Sequence, residues 1–242
     1  MDTKWITLET TDGPMRAYLA VPDGAGPFPG VVVLQEAFGV NAYVRSVCDR
    51  LADVGFSALA PELFHRQGHH VEVSYDHLPK ALERITALDN DAIAGDASAA
   101  VAALRARPEI DVRHIGVIGF CIGGFAALLT GLTSPVSAVV AFYPGSVVRK
   151  RPGWKIEPIL DRLPAMQAAT MIHYGGDDQG IPPEDVQAVR GALGKSRARH
   201  EIVEHPGAKH GFHSDDRAAA FHPHAAEEAW HQTLLWLRES LG

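Results

Sequence analysis

Apolar positions along this chain fall into two rhythms. Short, mostly apolar runs occur at Gly30-Val31-Val32-Val33-Leu34, Gly55 to Ala60, Ile115 to Ile118 within the segment Asp111 to Phe120, Val136 to Phe142 and Thr170 to Tyr174. Their length and β-branched content suit strands buried on both faces of a parallel sheet. Between them lie segments with helical spacing, at Asn41 to Val54, Leu78 to Leu88, Asp91 to Arg107, Gly123 to Leu132 and Pro183 to Leu193. Asn41 is placed to cap the first, and Pro183 stands in a first turn, where a helix tolerates proline. Ala198 to Glu204 reads as a last strand, and His222 to Leu241 as a closing amphipathic helix. Ahead of all this, Trp5 to Thr10 and Met15 to Val21 flank Asp12-Gly13 and predict an antiparallel hairpin. Residues 148–164 carry prolines and no period, and are expected to form a loop bordering the site.

Strands alternating with helices predict an α/β chain with a mostly parallel central sheet and helices on both faces. No linker or repeat divides the sequence, so residues 1–242 read as one domain without a separate lid. Composition changes little in this picture: 46% hydrophobic and 21% charged residues are ordinary for a globular chain. The net charge, 22 − 29 = −7, argues against nucleic acid or an anionic membrane as a partner. No apolar run approaches the roughly 18 residues of a spanning helix, and no signal-peptide pattern opens the chain. The two cysteines, Cys48 and Cys121, suggest neither a disulfide framework nor a zinc site. A cytoplasmic monomer or small homo-oligomer without metal or cofactor, acting on a small molecule, is the expectation.

The chemistry centres on Gly119-Phe120-Cys121-Ile122-Gly123-Gly124, between an apolar strand and an apolar helix. This is the pattern of a nucleophile elbow with cysteine at the apex. The flanking glycines let strand and helix pass closely, and the helix N-terminus offers free N–H groups near the sulfur. A buried structural cysteine in a strand–helix turn is the alternative reading of this stretch alone. In a doubly wound sheet, catalytic groups gather beyond the carboxyl ends of strands. Glu36, Cys121, Tyr143, Asp178 and His210 all fall there. Nucleophile, acid and histidine in that order suit a relay: the histidine moves the proton and the carboxylate fixes its tautomer. Among 13 histidines, His210 is preferred because Gly207-Ala208-Lys209-His210-Gly211-Phe212 links the last strand to the last helix. Of the adjacent Asp177 and Asp178 only one can face it. Reading Gly175-x-x-Asp178-x-x-Ile181-Pro182 selects Asp178 and leaves Asp177 to cap the next helix. His222-Pro223-His224 lacks a metal-binding pattern and reads as surface.

Taken together, Gln35-Glu36-Ala37-Phe38-Gly39, Ala60-Pro61-Glu62-Leu63-Phe64, the elbow, the Asp178 segment and His210-Gly211-Phe212 resemble the dienelactone hydrolase family of α/β-hydrolases over the whole chain. The resemblance implies Cys121 as nucleophile, His210 as base and Asp178 as its orienting acid. It implies Glu36 beside the thiol, disfavouring thiolate while it stays near, since like charges repel. The backbone N–H groups of Ile122 and Ala37 would form the oxyanion hole. Phe38, Phe64, Tyr143 and Phe212, which neighbour these motifs, are expected to contact substrate. Members acting on dienelactone grip its carboxylate with arginines and a tyrosine. After His210 this chain instead has His213 and Ser214, with Arg217 the first arginine, and Leu78 and Leu82 stand near the other positions, with Lys80 and Arg84 close by. The implied activity is hydrolysis of a small ester or lactone, a dienelactone-like carboxymethylenebutenolide or a less charged relative, through a thioester. A non-catalytic ligand-binding module and a cysteine peptidase are the alternatives, the filled triad positions and the absence of a lid weighing against them respectively.

Overall fold

A computed structural model describes residues 1–242. Eight strands form one sheet in the order β1-β2-β4-β3-β5-β6-β7-β8. They are β1 (Asp2–Thr10), β2 (Gly13–Val21), β3 (Phe28–Leu34), β4 (Ser57–Pro61), β5 (Ile110–Phe120), β6 (Ala138–Phe142), β7 (Ala169–Gly175) and β8 (His200–His205). The hairpin β1–β2 and its junction with β4 are antiparallel, and every pairing from β4 through β3, β5, β6 and β7 to β8 is parallel. The mostly parallel α/β sheet expected from the strand–helix alternation is therefore present, in the α/β-hydrolase arrangement that the resemblance implies and without a separate lid.

The helices are α1 (Ala42–Asp53), α2 (Leu78–Thr86), α3 (Asn90–Arg105), α4 (Ile122–Thr133), α5 (Pro183–Leu193) and α6 (Pro223–Leu241). Register fixes which face each covers. Val31 lies beside Gly116, and Gly30 beside Ile115, so Gly30 and Gly116 point to opposite faces. Leu104 of α3 packs over Gly30, whereas Leu237 and Leu241 of α6 pack over Gly116. Helices α3 and α4 touch each other on the first face. On the second, Arg50 of α1 stacks on Trp230 of α6, its guanidinium carbon 4.0 Å from the ring centroid. The central strands β3, β5, β6 and β7 are buried on both sides over most of their length.

Element ends differ slightly from expectation. The break between α2 and α3 falls earlier, because Asp89 accepts a hydrogen bond from the Ala92 N–H at 2.9 Å and starts a new helix. Asn41 caps α1 through the Val44 N–H at 3.1 Å, as its position suggested. The proline-bearing loop after β6 ends in a short 3-10 turn, Leu160–Ala165. No helix is long and apolar enough to cross a membrane.

Candidate active site

Strand β5 runs through the centre of the sheet and delivers Cys121 at its carboxyl end. Cys121 adopts φ 57° and ψ −115°, a conformation that costs an L-residue about 1–3 kcal/mol. The surrounding structure holds it there. The Cys121 N–H donates to the Phe142 carbonyl on β6 at 3.0 Å, and α4 begins at the next residue. Side chains would not fit on either flank. A Cβ on Gly119 would lie 1.9 Å from the Gly123 carbonyl oxygen, and one on Gly123 would lie 2.2 Å from that of Leu34. Strand, turn and helix pass closer than any other residue permits. As the first residue of α4, Ile122 has an N–H with no helical acceptor. The Ala37 N–H, in the loop after β3, also has no acceptor within the chain. Both residues line the same cavity as Cys121.

The turn after β7 supplies Asp178, whose side chain is fully buried. Its Oδ1 accepts the Gly180 N–H at 2.8 Å and its Oδ2 meets Nδ1 of His210 at 2.7 Å. The loop carrying His210 is tied to this turn through the Asp177 N–H and the Ala208 carbonyl, 2.9 Å apart. His210 itself is 28% exposed and opens onto the cavity. Burial works against a charge on its ring, but the nearby Cys121 sulfur and the Asp178 carboxylate outweigh it and push the ring up to about 10. With Nδ1 held by Asp178, Nε2 is the nitrogen left for the sulfur.

Glu36 lies beneath the cavity, 1% exposed. Tyr143 donates to its Oε1 at 3.2 Å, Tyr75 to its Oε2 at 3.5 Å, and Nη1 of Arg217 lies 3.7 Å from Oε1. Burial raises the Glu36 carboxyl, and the charges of Arg217 and His210 with the two tyrosine hydroxyls pull it back only in part. The Tyr75 hydroxyl also receives a bond from Asn41 Nδ2 at 2.9 Å and faces Ser214 Oγ at 3.1 Å, joining the first helix cap to the loop after His210.

The cavity measures about 480 Å³. Phe38 lines it, but Phe64, Tyr143 and Phe212 do not: each is almost fully buried in the core. Phe64 and Tyr143 follow the ends of β4 and β6 closely and Phe212 turns back from the loop after β8, so their side chains belong to the packed layer, where Tyr143 supports Glu36 and Phe212 packs on Tyr143 and His205. Asp177 does not cap α5, whose N-cap is Pro182 without a side-chain bond; it stands at the cavity instead. His222 caps α6, its Nδ1 accepting from the Ala225 N–H at 3.2 Å. Leu78 and Leu82 form an apolar wall on α2. Arg151, Trp154, Lys209 and Arg217 also line the space, and the sequence patterns did not single out the first three. Arg151 and Trp154 lie in the loop expected to border the site, yet nothing in its composition says which side chains turn inward. No cluster of three or more His, Cys, Asp or Glu side chains is placed to hold a metal ion.

The model of the dienelactone hydrolase family matches residues 15–241. A relative from Synechocystis sp. carries the name "putative carboxymethylenebutenolidase" and is 33% identical over 94% of this chain and 93% of its own. One from Bradyrhizobium sp., named "probable 2-oxo-3-(5-oxofuran-2-ylidene)propanoate lactonase", is 30% identical over 97% of this chain and 93% of its own. Among solved structures, a Klebsiella pneumoniae protein described as a "putative dienelactone hydrolase" superposes with a TM-score of 0.87 at 31% identity, covering 98% of both chains.

Proposed function

The chain belongs to the dienelactone hydrolase family and is an ester or lactone hydrolase, and on that premise we propose that it works through a Cys121–His210–Asp178 triad and a thioester acyl-enzyme. The observation that carries this reading is the arrangement of the buried Asp178 carboxylate, the His210 ring it orients at 2.7 Å and the strained Cys121 on one cavity wall.

In this mechanism His210 Nε2 takes the thiol proton and the Cys121 sulfur attacks the substrate carbonyl. The carbonyl electrons move onto oxygen, which the N–H groups of Ala37 and Ile122 receive. Collapse breaks the acyl C–O bond, and the leaving oxygen takes the proton from His210. In a lactone that oxygen stays tethered to the acyl group. Water then gives a proton to His210 and attacks the thioester; the C–S bond breaks, the acid departs and the thiol regains its proton. Asp178 stabilises the charged ring in both halves. Glu36, held by Tyr143, Tyr75 and Arg217, sets the charge beneath the sulfur.

The walls favour a small substrate with an apolar face toward Leu78, Leu82 and Phe38. The test is rapid acid quench during turnover of 4-nitrophenyl acetate, with the acetylated residue located by mass spectrometry. Acetyl on Cys121, and loss of turnover in Cys121→Ala, are expected. Full turnover in that variant, or acetyl on the buried Cys48, would overturn the assignment.

A further inference from the structure

The active-site cavity does not end at the triad. A second cavity of about 230 Å³ lies beside it, and Gly145, Arg151 and Gly180 line both. Arg151 therefore stands at the neck between the two chambers. Its guanidinium passes over a residue without a side chain: a Cβ built on Gly145 would lie 3.4 Å from Nη2.

Arg151 is one of three consecutive cations, and only this one lacks a carboxylate. Arg149 pairs with Glu184 at 3.0 Å and Asp185 at 2.7 Å, and Lys150 pairs with Glu157. Arg151 donates a single hydrogen bond, from Nη2 to the Gly180 carbonyl at 3.1 Å, and rests over the Trp154 ring at 5.4 Å. A guanidinium carries five N–H donors in a planar fork, so most of this fork is free. The other cations of the active-site cavity are placed differently. Arg217 is matched by Glu36 at 3.7 Å, and Lys209 is an exposed side chain at the rim.

The loop that carries Arg151 is pinned. The Ile159 and Leu160 N–H groups both donate to the Val147 carbonyl at 3.0 Å, and Asn90 on α3 exchanges two bonds with the backbone of Glu157, at 2.9 and 3.0 Å. A second polar group of the same loop has no partner. Ser146 lines the second chamber, is 8% exposed, and its hydroxyl is buried without a hydrogen bond. Its φ of 62° is rare for a residue with a side chain. A buried hydroxyl left unpaired costs about 1–3 kcal/mol, which a ligand atom could offset.

We propose that Arg151, with the Ser146 hydroxyl, forms a subsite at this neck for a carboxylate carried by the substrate. The inference rests on the triad of the neighbouring cavity turning over esters. Recognition comes from the loop after β6, so the substrate spans from the Cys121 sulfur past Trp154 to the neck. Arg151 also touches the turn of Asp178, through Gly180, whose N–H bonds Asp178 Oδ1. A bracing role there would change all esters alike, whereas a subsite changes only charged ones.

The experiment uses ester pairs that differ by carboxylate against carboxamide, carried once on the acyl chain and once on the leaving group. The quantity read is the ratio of kcat/KM for the charged to the neutral member. For at least one pair, Arg151→Gln is expected to lower that ratio by about tenfold or more, and Ser146→Ala by about threefold, as loss of a charged and a neutral hydrogen bond implies. A ratio that moves less than about threefold in Arg151→Gln for both pairs overturns the subsite, since a charge-assisted bond is worth more than that. An unchanged ratio in Ser146→Ala removes the serine from it. Failure of the unaltered protein to hydrolyse any member tells instead against the triad.

Discussion

Asp178 is sealed from solvent while His210, the ring it holds at 2.7 Å, opens onto the cavity. The carboxylate therefore acts on the nucleophile only through the imidazole. Asp178→Asn should keep the bond from the Gly180 N–H but present an amide to Nδ1, favouring the wrong tautomer. The expected fall in kcat is about 10³–10⁴-fold, by analogy with the same change in a serine protease triad. Steady-state kinetics on a neutral ester decide this, and a fall of less than about tenfold would place the orienting role elsewhere.

Backbone proximity at the elbow makes a sharp contrast with open helix surface. Gly123→Ala should abolish soluble folding or activity, because the new Cβ meets the Leu34 and Gln35 carbonyl oxygens at 2.2 and 2.5 Å. Gly191→Ala, in α5 with nothing within 4 Å, should stabilise by about 0.5–1 kcal/mol. Chemical denaturation of both variants measures the difference. A folded, active Gly123→Ala enzyme would refute the steric account.

Asp96 on α3 is fully buried and receives both arms of Arg66, at 2.7 and 2.9 Å, with His65 Nε2 at 3.2 Å. Removing it takes two bonds from Arg66, which keeps Asp12 at 2.6 Å, and leaves His65 without its carboxylate. Asp96→Ala should cost about 2–3 kcal/mol, the loss of charge-assisted bonds, because Arg66 is partly exposed and stays paired with Asp12. Urea unfolding is the readout, and a loss below about 1 kcal/mol would mean that Arg66 finds water instead.

Two buried histidines predict acid lability. Burial first, then the charges of Arg50 and His205, push His213 down to about 3, and its Nδ1 lies 2.6 Å from the Tyr43 hydroxyl. Burial and its histidine neighbours also lower His173. In the unfolded chain both titrate near 6.5. Below that value the unfolded state binds protons that the folded state refuses, so stability is present above about 6.5 and declines as pH falls toward 3. Denaturant midpoints at pH 7, 5.5 and 4.5 should decrease, with a shallower slope in His213→Asn. Equal slopes in the two proteins would contradict the assignment.

The parallel core was legible because β3, β5, β6 and β7 each contain a mostly apolar, β-branched run, as at Val31 to Leu34 and Ile115 to Ile118, which suits the two-sided burial of a parallel sheet. That Cys121, Asp178 and His210 would meet at one place was legible because each follows a strand end within a glycine-marked turn, and all three line one cavity. The cavity walls were not. Phe64, Tyr143 and Phe212 share the same stretches as the site residues, but one residue of offset turns an aromatic ring from cavity to core. Leu78 and Leu82 look like the apolar stripe of a helix, yet they are 44% and 38% exposed and face the cavity rather than the sheet. Arg151 and Trp154 come from a loop whose shape depends on anchoring bonds to α3 and Val147, contacts that no local pattern encodes.

Those anchoring bonds divide the molecule into parts that can change independently. The triad is borne by turns at the ends of β5, β7 and β8, whereas the Arg151 wall is fastened through Asn90 to α3, a helix that carries none of the triad residues. Apart from Arg151, whose bond to the Gly180 carbonyl reaches the turn of Asp178, positions in the 148–159 loop can therefore drift, lengthen or recharge the entrance while the proton relay keeps its geometry. What this hydrolase accepts at its entrance is thus open to change one loop at a time.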